Sequence, residues 1–255
     1  MSASSCFDAL DRALDAAGSR IDLFVRDDDG GWDDPRLLAL LDRFAAAGAP
    51  IDVAVIPNEL SDSLATTLRA RLRGGSSALG CHQHGWAHVN HQVEGRKCEF
   101  GPQRSAGEQT TDLALGATRL REALHGLADP IFTPPWNRCT ADTTRALAGL
   151  GVKVLSRDAG AQPIDLHGLA ELPVAVDWCK RVDGERASLD EQARRIVAAL
   201  AQHETVGIML HHPVMNDDEL DALDLLLRRL GRHPACRLQR MRDAAVAPLR
   251  PAALA

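Results

Sequence analysis

Four of the ten histidines of the chain fall within residues 81–91, which read CHQHGWAHVNH. His84 and His88 are four residues apart, and on a helical turn this spacing would place both imidazoles on one face. Zn²⁺ accepts two histidines and one carboxylate and leaves a position open for water. The stretch therefore predicts a metal site, with His82 and His91 as further candidate ligands. The alternative is a polar loop that holds no metal.

Three adjacent aspartates, Asp27, Asp28 and Asp29, precede Gly30 and could supply a carboxylate ligand. Adjacent carboxylates repel one another, and each is unfavourable to hold ionised in a partly buried cleft. A bound cation would relieve that penalty. The alternative is a solvated acidic turn before a helix, in which the penalty does not arise.

Short apolar runs alternate with amphipathic helical patterns along the chain, which is typical of parallel βαβ units. We predict strands at Ile21–Arg26, Ile51–Ile56, from Ala78–Cys81 into the histidines, Ile131–Thr133, Val152–Leu155, Glu171–Val176, Val206–Leu210 and Arg237–Met241. We predict helices at Pro35–Ala47 with an aspartate cap, Ser61–Arg73, Ala106–Leu124, Thr140–Leu150, Leu189–Gln202 and Asp217–Leu230. About seven units without a glycine-rich dinucleotide or phosphate motif favour a barrel over a doubly wound sheet and indicate no nucleotide cofactor.

Functional groups in parallel α/β folds collect just beyond the carboxyl ends of the strands. The aspartates and the histidine stretch follow two predicted strands, and two further motifs follow others. These are Pro134-Pro135-Trp136-Asn137 and the pair His211-His212. A proline turn with a core tryptophan and a surface histidine pair are the alternative interpretations of these two motifs.

The composition excludes several classes of protein. The chain has 255 residues and a formal net charge of −6, without the basic patch that nucleic-acid binding requires. Its six cysteines include no CxxC pair, so we expect free thiols. No apolar run approaches the 18 residues of a membrane span. The N-terminal segment contains acidic residues and no apolar region, so we expect no signal peptide and a cytoplasmic protein.

Taken together, the motifs resemble the polysaccharide deacetylases of the NodB-homology type, carbohydrate esterase family 4, over most of the chain. Residues 24–30, FVRDDDG, stand where that family has a motif like TFDDG. Residues 84–88, HGWAH, resemble its HSxxH motif, and residues 133–136, TPPW, stand in place of its RxPW or RPPY motif. Residues 209–211, MLH, match its LLH-type strand end.

The resemblance implies a distorted (β/α)7-type barrel, a single domain over residues 1–255 with an N-terminal helix within residues 1–19. It implies that Asp29, His84 and His88 bind a divalent metal, with Asp28 as general base and His211 as general acid. Zn²⁺ is the expected metal, although two histidines and one aspartate also accept Co, Ni, Mn or Fe. The residues expected to contact substrate are Trp86, Trp136, Asn137 and Arg157.

The chain departs from the family pattern at two positions. Thr133 occupies the place of the arginine that orients the catalytic aspartate in the family, and Arg26 or Arg157 could substitute for it. Asp27 adds a third carboxylate that could share or exchange roles with Asp28. Residues with a secondary expected role near the mouth of the site are His82, His91, Asn90, Glu99 and Arg138.

The expected function is removal of an N-acetyl group from a carbohydrate or sugar derivative by a metal-dependent hydrolase. The long loop Asn90–Arg104 should shape the mouth of the site. Together with the absence of an export signal, it favours a small or lipid-linked N-acetylated sugar over a long polymer. The alternatives are an amidohydrolase that cleaves a non-sugar C–N bond and a catalytically silent carbohydrate-binding member of the fold.

Overall fold

The computed structural model describes residues 7–74, 78–182 and 184–245. The strands are β1 (Ile21–Gly30), β2 (Ile51–Val55), β3 (Leu79–His84), β4 (Ile131–Thr133), β5 (Val154–Leu155), β6 (Ala170–Glu171), β7 (Val176–Asp177), β8 (Arg181–Val182), β9 (Glu185–Arg186), β10 (Thr205–Leu210) and β11 (Cys236–Leu238). The helices are α1 (Asp8–Asp15), α2 (Asp34–Ala47), α3 (Asp62–Arg73), α4 (Ala106–Ala123), α5 (Ala141–Gly149), α6 (Leu189–Gln202), α7 (Asp217–Arg232) and α8 (Met241–Ala244).

The main sheet has the strand order β6-β5-β4-β3-β2-β1-β10-β7, and β11 pairs with the start of β1. Every neighbouring pair along this sheet is parallel, while β8 and β9 form a separate antiparallel hairpin. The sheet curls into a half-barrel with the helices packed outside it. The predicted α/β, distorted (β/α)7-type barrel is therefore confirmed.

The two faces of the central strands bury different kinds of side chain. Leu23 and Val25 of β1 point outward into the large apolar cluster that includes α2, α3, α6 and α7. Phe24 lies on the opposite face with Met209 of β10, in a smaller cluster within the curl of the sheet. Because side chains alternate along a strand, this pattern sets which of the following polar residues face the barrel interior.

Several predicted boundaries hold and others need correction. Asp33 caps α2 and Ser61 caps α3 by accepting backbone N–H groups, as predicted. Strand β1 extends to Gly30, so the aspartates belong to the strand and do not follow it. The predicted strand Glu171–Val176 is wrong, because Leu172–Ala175 separates two short strands that pair with different neighbours.

The cysteines of the described ranges, at positions 81, 98, 139, 179 and 236, are free thiols, as predicted. Cys6 lies outside those ranges. Among the described helices, none combines the length and the apolar character that crossing a membrane requires.

Candidate active site

The carboxyl end of β1 brings two consecutive carboxylates to the same side of the sheet. Opposite β2, the register shifts between Asp27 and Gly30, so that β1 carries one more residue than its partner over this stretch. Such a bulge re-aims the side chains around it. Asp29 has a left-handed backbone, with φ of 66°, and it lines the same cavity as Asp28. The bulge thus overrides the alternation that would otherwise send the two carboxylates to opposite faces.

Asp28 is held by a buried arginine two residues before it. Arg26 Nε donates to Asp28 Oδ1 at 2.7 Å, and Arg26 Nη2 donates to Asp28 Oδ2 at 2.9 Å. The guanidinium also donates to Ser156 Oγ at 2.7 Å and to Asn137 Oδ1 at 2.8 Å. A two-pronged pair of this kind fixes the orientation of a carboxylate. Arg26 therefore occupies the structural role that the sequence left open between Arg26 and Arg157.

Asp27 points to the outer face and is committed to another partner. Its Oδ1 accepts the backbone N–H of His212 at 3.0 Å, and its Oδ2 lies 2.7 Å from His212 Nδ1. His212 Nε2 lies 2.6 Å from the carbonyl oxygen of Trp32. Burial would lower the pKa of His212, but the carboxylate of Asp27 outweighs it and raises the pKa to about 8. Asp27 is therefore a structural carboxylate, and Asp28 is the one available for chemistry.

The histidine stretch is not a helical turn, so the predicted local geometry is wrong although the residues do converge. His84 ends β3, and His88 follows in a loop with a φ of 55°. Gly85 has a φ of 61°, and a Cβ there would lie 2.1 Å from Glu99 Oε2. Glu99 is fully buried and accepts the backbone N–H of Ala87 at 2.8 Å. This tight turn around a buried carboxylate brings the second imidazole back to the first.

Asp29, His84 and His88 form a donor set that fits a metal ion. Asp29 Oδ1 lies 3.4 Å from His84 Nε2 and 3.3 Å from His88 Nε2. Ligands about 2.1 Å from a tetrahedral Zn²⁺ stand about 3.4 Å apart. Asp29 Oδ1 is buried without a hydrogen-bond partner. The carbonyl of Thr133 lies 3.0 Å from His84 Nδ1 and directs Nε2 toward the aspartate, as metal-binding histidines require.

The titration of Asp29 and His88 agrees with that use, whereas His84 would have to release its proton to bind a cation. Burial would raise the pKa of Asp29, but the interaction with the neighbouring imidazole of His84 outweighs it and lowers the pKa to about 2. Burial and the charge of His84 lower the pKa of His88 to about 4. Burial would also lower the pKa of His84, but Asp29 and Asp28 outweigh it and raise the pKa. An ionised carboxylate and a neutral imidazole are the protonation states that bind a cation.

Thr133, which stands in place of the family arginine, contacts His82. Its hydroxyl lies 2.8 Å from His82 Nε2, and both side chains are completely buried. Burial and the neighbouring charge of Arg26 hold the pKa of His82 well below its usual range. A neutral His82 beside Arg26 fills the barrel interior without adding charge, so His82 is a packing residue.

The candidate metal ligands and Asp28 line a cavity of about 480 Å³. Its lining consists of Asp28, Asp29, Trp32, His84, His88, Asn90, Lys97, Trp136, Asn137 and His211. Trp32 and Trp136 flank the His88 ring, with ring centroids 4.7 and 4.3 Å from it. Trp136 and Asn137 have left-handed backbones, with φ of 56° and 57°. Most of the predicted site residues therefore meet at one cavity.

Two predicted substrate contacts lie elsewhere. Trp86 does not line the cavity and packs against the cluster that includes Phe100. Arg157 pairs with Glu171, with Nε 2.8 Å from Oε1, and lines a neighbouring cavity. His91 is exposed outside the cavity lining. The sequence identifies the types of these side chains, but the curl of the sheet and the loop geometry determine that they do not face the first cavity.

His211 lies where β10 ends, next to a carboxylate that the sequence reasoning missed. Asp177 of β7 and Cys179 lie close to it, with one nitrogen or oxygen or sulfur atom of each residue within 4.8 Å of the others. Burial raises the pKa of Cys179 to about 12, so the thiol stays protonated and is a poor metal ligand. The parallel pairing of Met209 with Asp177 brings Asp177 close to His211. No short sequence motif predicts this pairing.

No protein-family model matches the sequence, and no curated protein matches it. Several solved structures do match it. A family 4 acetyl xylan esterase from Clostridium thermocellum, in complex with a cobalt ion, is 15% identical with a TM-score of 0.59, and the match covers 87% of this chain and 89% of that one.

Two further structures are similar. A candidate polysaccharide deacetylase from Mycobacterium smegmatis is 14% identical with a TM-score of 0.70, covering 89% of this chain and 90% of that one. A family 4 pseudoenzyme from Bacillus anthracis is 12% identical with a TM-score of 0.58, covering 89% of this chain and 65% of that one. The resemblance seen in the motifs is thus confirmed at the level of architecture: the chain has the fold of the carbohydrate esterase family 4 polysaccharide deacetylases.

Proposed function

We propose that the protein is a metal-dependent hydrolase that removes an N-acetyl group from a carbohydrate or sugar derivative. One observation carries the proposal. The donor set Asp29, His84 and His88 shares a single cavity with an arginine-held carboxylate, Asp28, and with a histidine, His211. Metal-assisted hydrolysis of an amide needs these three kinds of group in one place: a Lewis acid, a base for water and an acid for the leaving amine.

Asp28 is the proposed general base. A divalent metal bound by the donor set would lower the pKa of water toward neutrality and polarise the acetyl carbonyl. Asp28 lines the cavity beside that position, and Arg26 holds both of its oxygens in one orientation. Each oxygen keeps a further lone pair that can accept a proton from water in the cavity.

His211 is the proposed general acid. It lines the cavity at the end of β10, next to the end of β1. A protonated imidazole there can donate its proton to the leaving nitrogen, which then departs as a neutral amine. Without that proton the nitrogen would have to leave as an amide anion, which is a very poor leaving group.

The turn after β4 supplies the remaining contacts. Asn137 N–H donates to the carbonyl of Pro134 and Arg138 N–H donates to that of Pro135, so the candidate oxyanion donor in this turn is the N–H of Trp136. The indole of Trp136 lines the cavity and offers an apolar face to a sugar ring. Asn137 holds Arg26 and so positions Asp28 indirectly.

The size of the cavity favours a small substrate. About 480 Å³ is in the range of sites for single small molecules, which supports a small or lipid-linked N-acetylated sugar. A silent binding module would be supported by the absence of the family arginine, since Thr133 stands in its place. Because Arg26 holds Asp28 instead, that feature no longer supports it.

Metal content and acetate release together test the proposal. Untagged wild-type protein is compared with His84→Ala, His88→Ala and His91→Ala by mass spectrometry. His91 is the matched control because it belongs to the same stretch but lies outside the cavity. We expect about one transition metal per chain in wild type and His91→Ala and little in the other two variants.

The same proteins are then assayed for acetate release from N-acetylglucosamine and its short oligomers, with p-nitroacetanilide as a non-sugar amide. Asp28→Asn should keep the metal and lose turnover. A wild-type protein that neither contains nor takes up Zn²⁺ would break the proposal at its first step. Turnover of the anilide alone would favour an amidohydrolase acting on non-sugar C–N bonds.

A further inference from the structure

A second cavity of about 480 Å³ opens beside the candidate active site. It is lined by the loop from Gln92 to Pro102, by the segment after β4 and by the segment after β5. Trp136 and Asn137 line both cavities. A ligand bound at the first cavity can therefore extend past Trp136 into the second.

The second cavity carries more cationic than anionic side chains. Arg96 and Arg138 line it, and burial together with the charge of Arg96 lowers the pKa of Arg138. Arg138 Nη1 donates to the carbonyl of Lys97 at 2.8 Å, which joins the two segments that carry these charges. Lys97 itself lines the first cavity.

Two neighbouring arginines, unlike Arg96 and Arg138, are paired with carboxylates. Arg104 pairs with Asp112 at 2.7 Å, and Arg157 pairs with Glu171. Within residues 7–74, 78–182 and 184–245, neither Arg96 nor Arg138 nor Lys97 makes an ion pair.

One acidic side chain, Asp158, lines the same cavity and favours the charged form of Arg138. Its Oδ1 accepts the backbone N–H of Gly160 at 3.0 Å. Apart from Arg157, which is paired with Glu171, two guanidinium groups against one carboxylate leave the cavity with an excess of positive charge, in a chain whose formal net charge is −6. Like charges held close together repel, and an anion between them removes that repulsion.

We propose that the second cavity binds an anionic group, a phosphate or a carboxylate, carried by the substrate whose acetyl group lies in the first cavity. This proposal rests on the proposed deacetylase function and narrows its substrate class to acidic N-acetylated sugars. Guanidinium groups suit this role because their planar fork matches phosphate and carboxylate oxygens. Arg96, Arg138 and Lys97 would together also attract such a substrate to the mouth.

Binding of sugars that carry no acetyl group tests the inference independently of turnover. Glucose, glucose 1-phosphate and glucuronate are titrated into metal-loaded wild-type protein by calorimetry. The variants are Arg96→Gln and Arg138→Gln. The matched control is Arg121→Gln, since Arg121 lies on α4, outside both cavities, and donates to Thr118.

We expect at least one anionic sugar to bind about 10-fold more tightly than glucose. That preference should shrink in both cavity variants, stay in Arg121→Gln, and weaken as salt is raised. A phosphate preference without a carboxylate preference would identify phosphate as the recognised group, and the converse would identify carboxylate.

Equal affinity for the three sugars overturns the inference. So does a preference that both cavity variants retain, because the anion would then be bound at the metal. Either result leaves the proposed function standing if acetate is still released from neutral N-acetylglucosamine. Conversely, an arginine-dependent preference in a protein that releases no acetate would retain the anion site and reject the hydrolase.

Discussion

The two faces of β1 differ at its carboxyl end, although each buries a carboxylate against a cationic side chain. On the inner face, Arg26 holds Asp28 beside an open cavity. On the outer face, His212 holds Asp27, and the carbonyl of Trp32 closes the other side of the imidazole. The inner pair leaves lone pairs facing the cavity, whereas the outer pair has its partners inside the protein. Alternation along one strand thus separates a group for chemistry from a group for stability.

The neighbouring strand repeats this division. Met209 of β10 faces inward and contacts the guanidinium of Arg26, whereas Leu210 faces the outer core. His211 then lines the cavity, and His212 turns outward to Asp27. The pair His211-His212 therefore has the same division of roles as Asp28 and Asp27, because parallel strands in register present the same face at the same level.

Removing the inner cation should have the largest effect. Arg26→Gln leaves the carboxylate of Asp28 buried without its partner, and we expect a loss of about 3–5 kcal/mol in the free energy of unfolding. Acetate release should fall with it. Denaturant unfolding and steady-state assays measure the two effects.

Arg157→Gln is the matched control for this change. Its partner Glu171 is partly exposed, with 31% of its side-chain surface accessible, so the loss should stay near 1 kcal/mol. Arg26→Lys tests the role if the glutamine variant fails to fold, since it keeps the charge but loses the two-pronged contact. Full activity in Arg26→Lys would show that orientation of Asp28 is unimportant.

Removing the outer carboxylate should change how stability depends on pH. The pKa of His212 is about 8 in the folded protein, against about 6.5 in an unfolded chain. Protonated His212 therefore stabilises the fold fully below about pH 6.5, and this contribution disappears as the pH rises through 8. We expect wild type to lose about 2 kcal/mol over this range, and Asp27→Asn to lose much less.

Unfolding free energies measured between pH 6 and pH 9 for both proteins check this expectation. If the free energy of unfolding changed with pH in the same way in wild type and Asp27→Asn, the charged His212–Asp27 pair would not stabilise the outer face. The inner and outer faces of β1 would then differ only in that the inner face borders an open cavity.

The smallest expected effect separates two tryptophans, one directed inward and one outward. Trp136→Leu should raise KM for an N-acetylated sugar roughly 3-fold to 10-fold, because an aromatic contact contributes about 0.5–1.5 kcal/mol. Trp86→Leu should leave KM unchanged, since its ring packs against the Phe100 cluster. Equal changes in KM would mean that the substrate reaches beyond the cavity to Trp86.

The sequence predicted the barrel because strand–helix alternation and the cap residues Asp33 and Ser61 are local signals. The segment between β5 and β10 was predicted poorly. Its strands β6 and β7 are two residues long each and pair with strands distant in sequence, β5 and β10. Propensity cannot locate such strands, because their pairing depends on how the whole sheet curls.

The candidate site was predicted in its residues more than in its geometry. His84 and His88 do converge, through a glycine turn around Glu99 and not through a helix. The choice of Arg26 over Arg157 was within reach, since residues i and i+2 of a strand share a face. Asp177 and Trp32 were missed because each meets the cavity through contacts made by distant parts of the chain.

Four residues of the cavity, Asp29, His88, Trp136 and Asn137, have left-handed backbones. That conformation costs a non-glycine residue about 1–2 kcal/mol, and glycine adopts it freely. A selection for heat resistance alone would therefore favour glycine at Asp29, His88 and Trp136 and remove a candidate metal ligand or a ring from the cavity. At Asn137, glycine would remove the amide oxygen that accepts a hydrogen bond from Arg26. We expect stability and chemistry to conflict most directly at these four positions, because the strained backbone and the side chains of the cavity belong to the same residues.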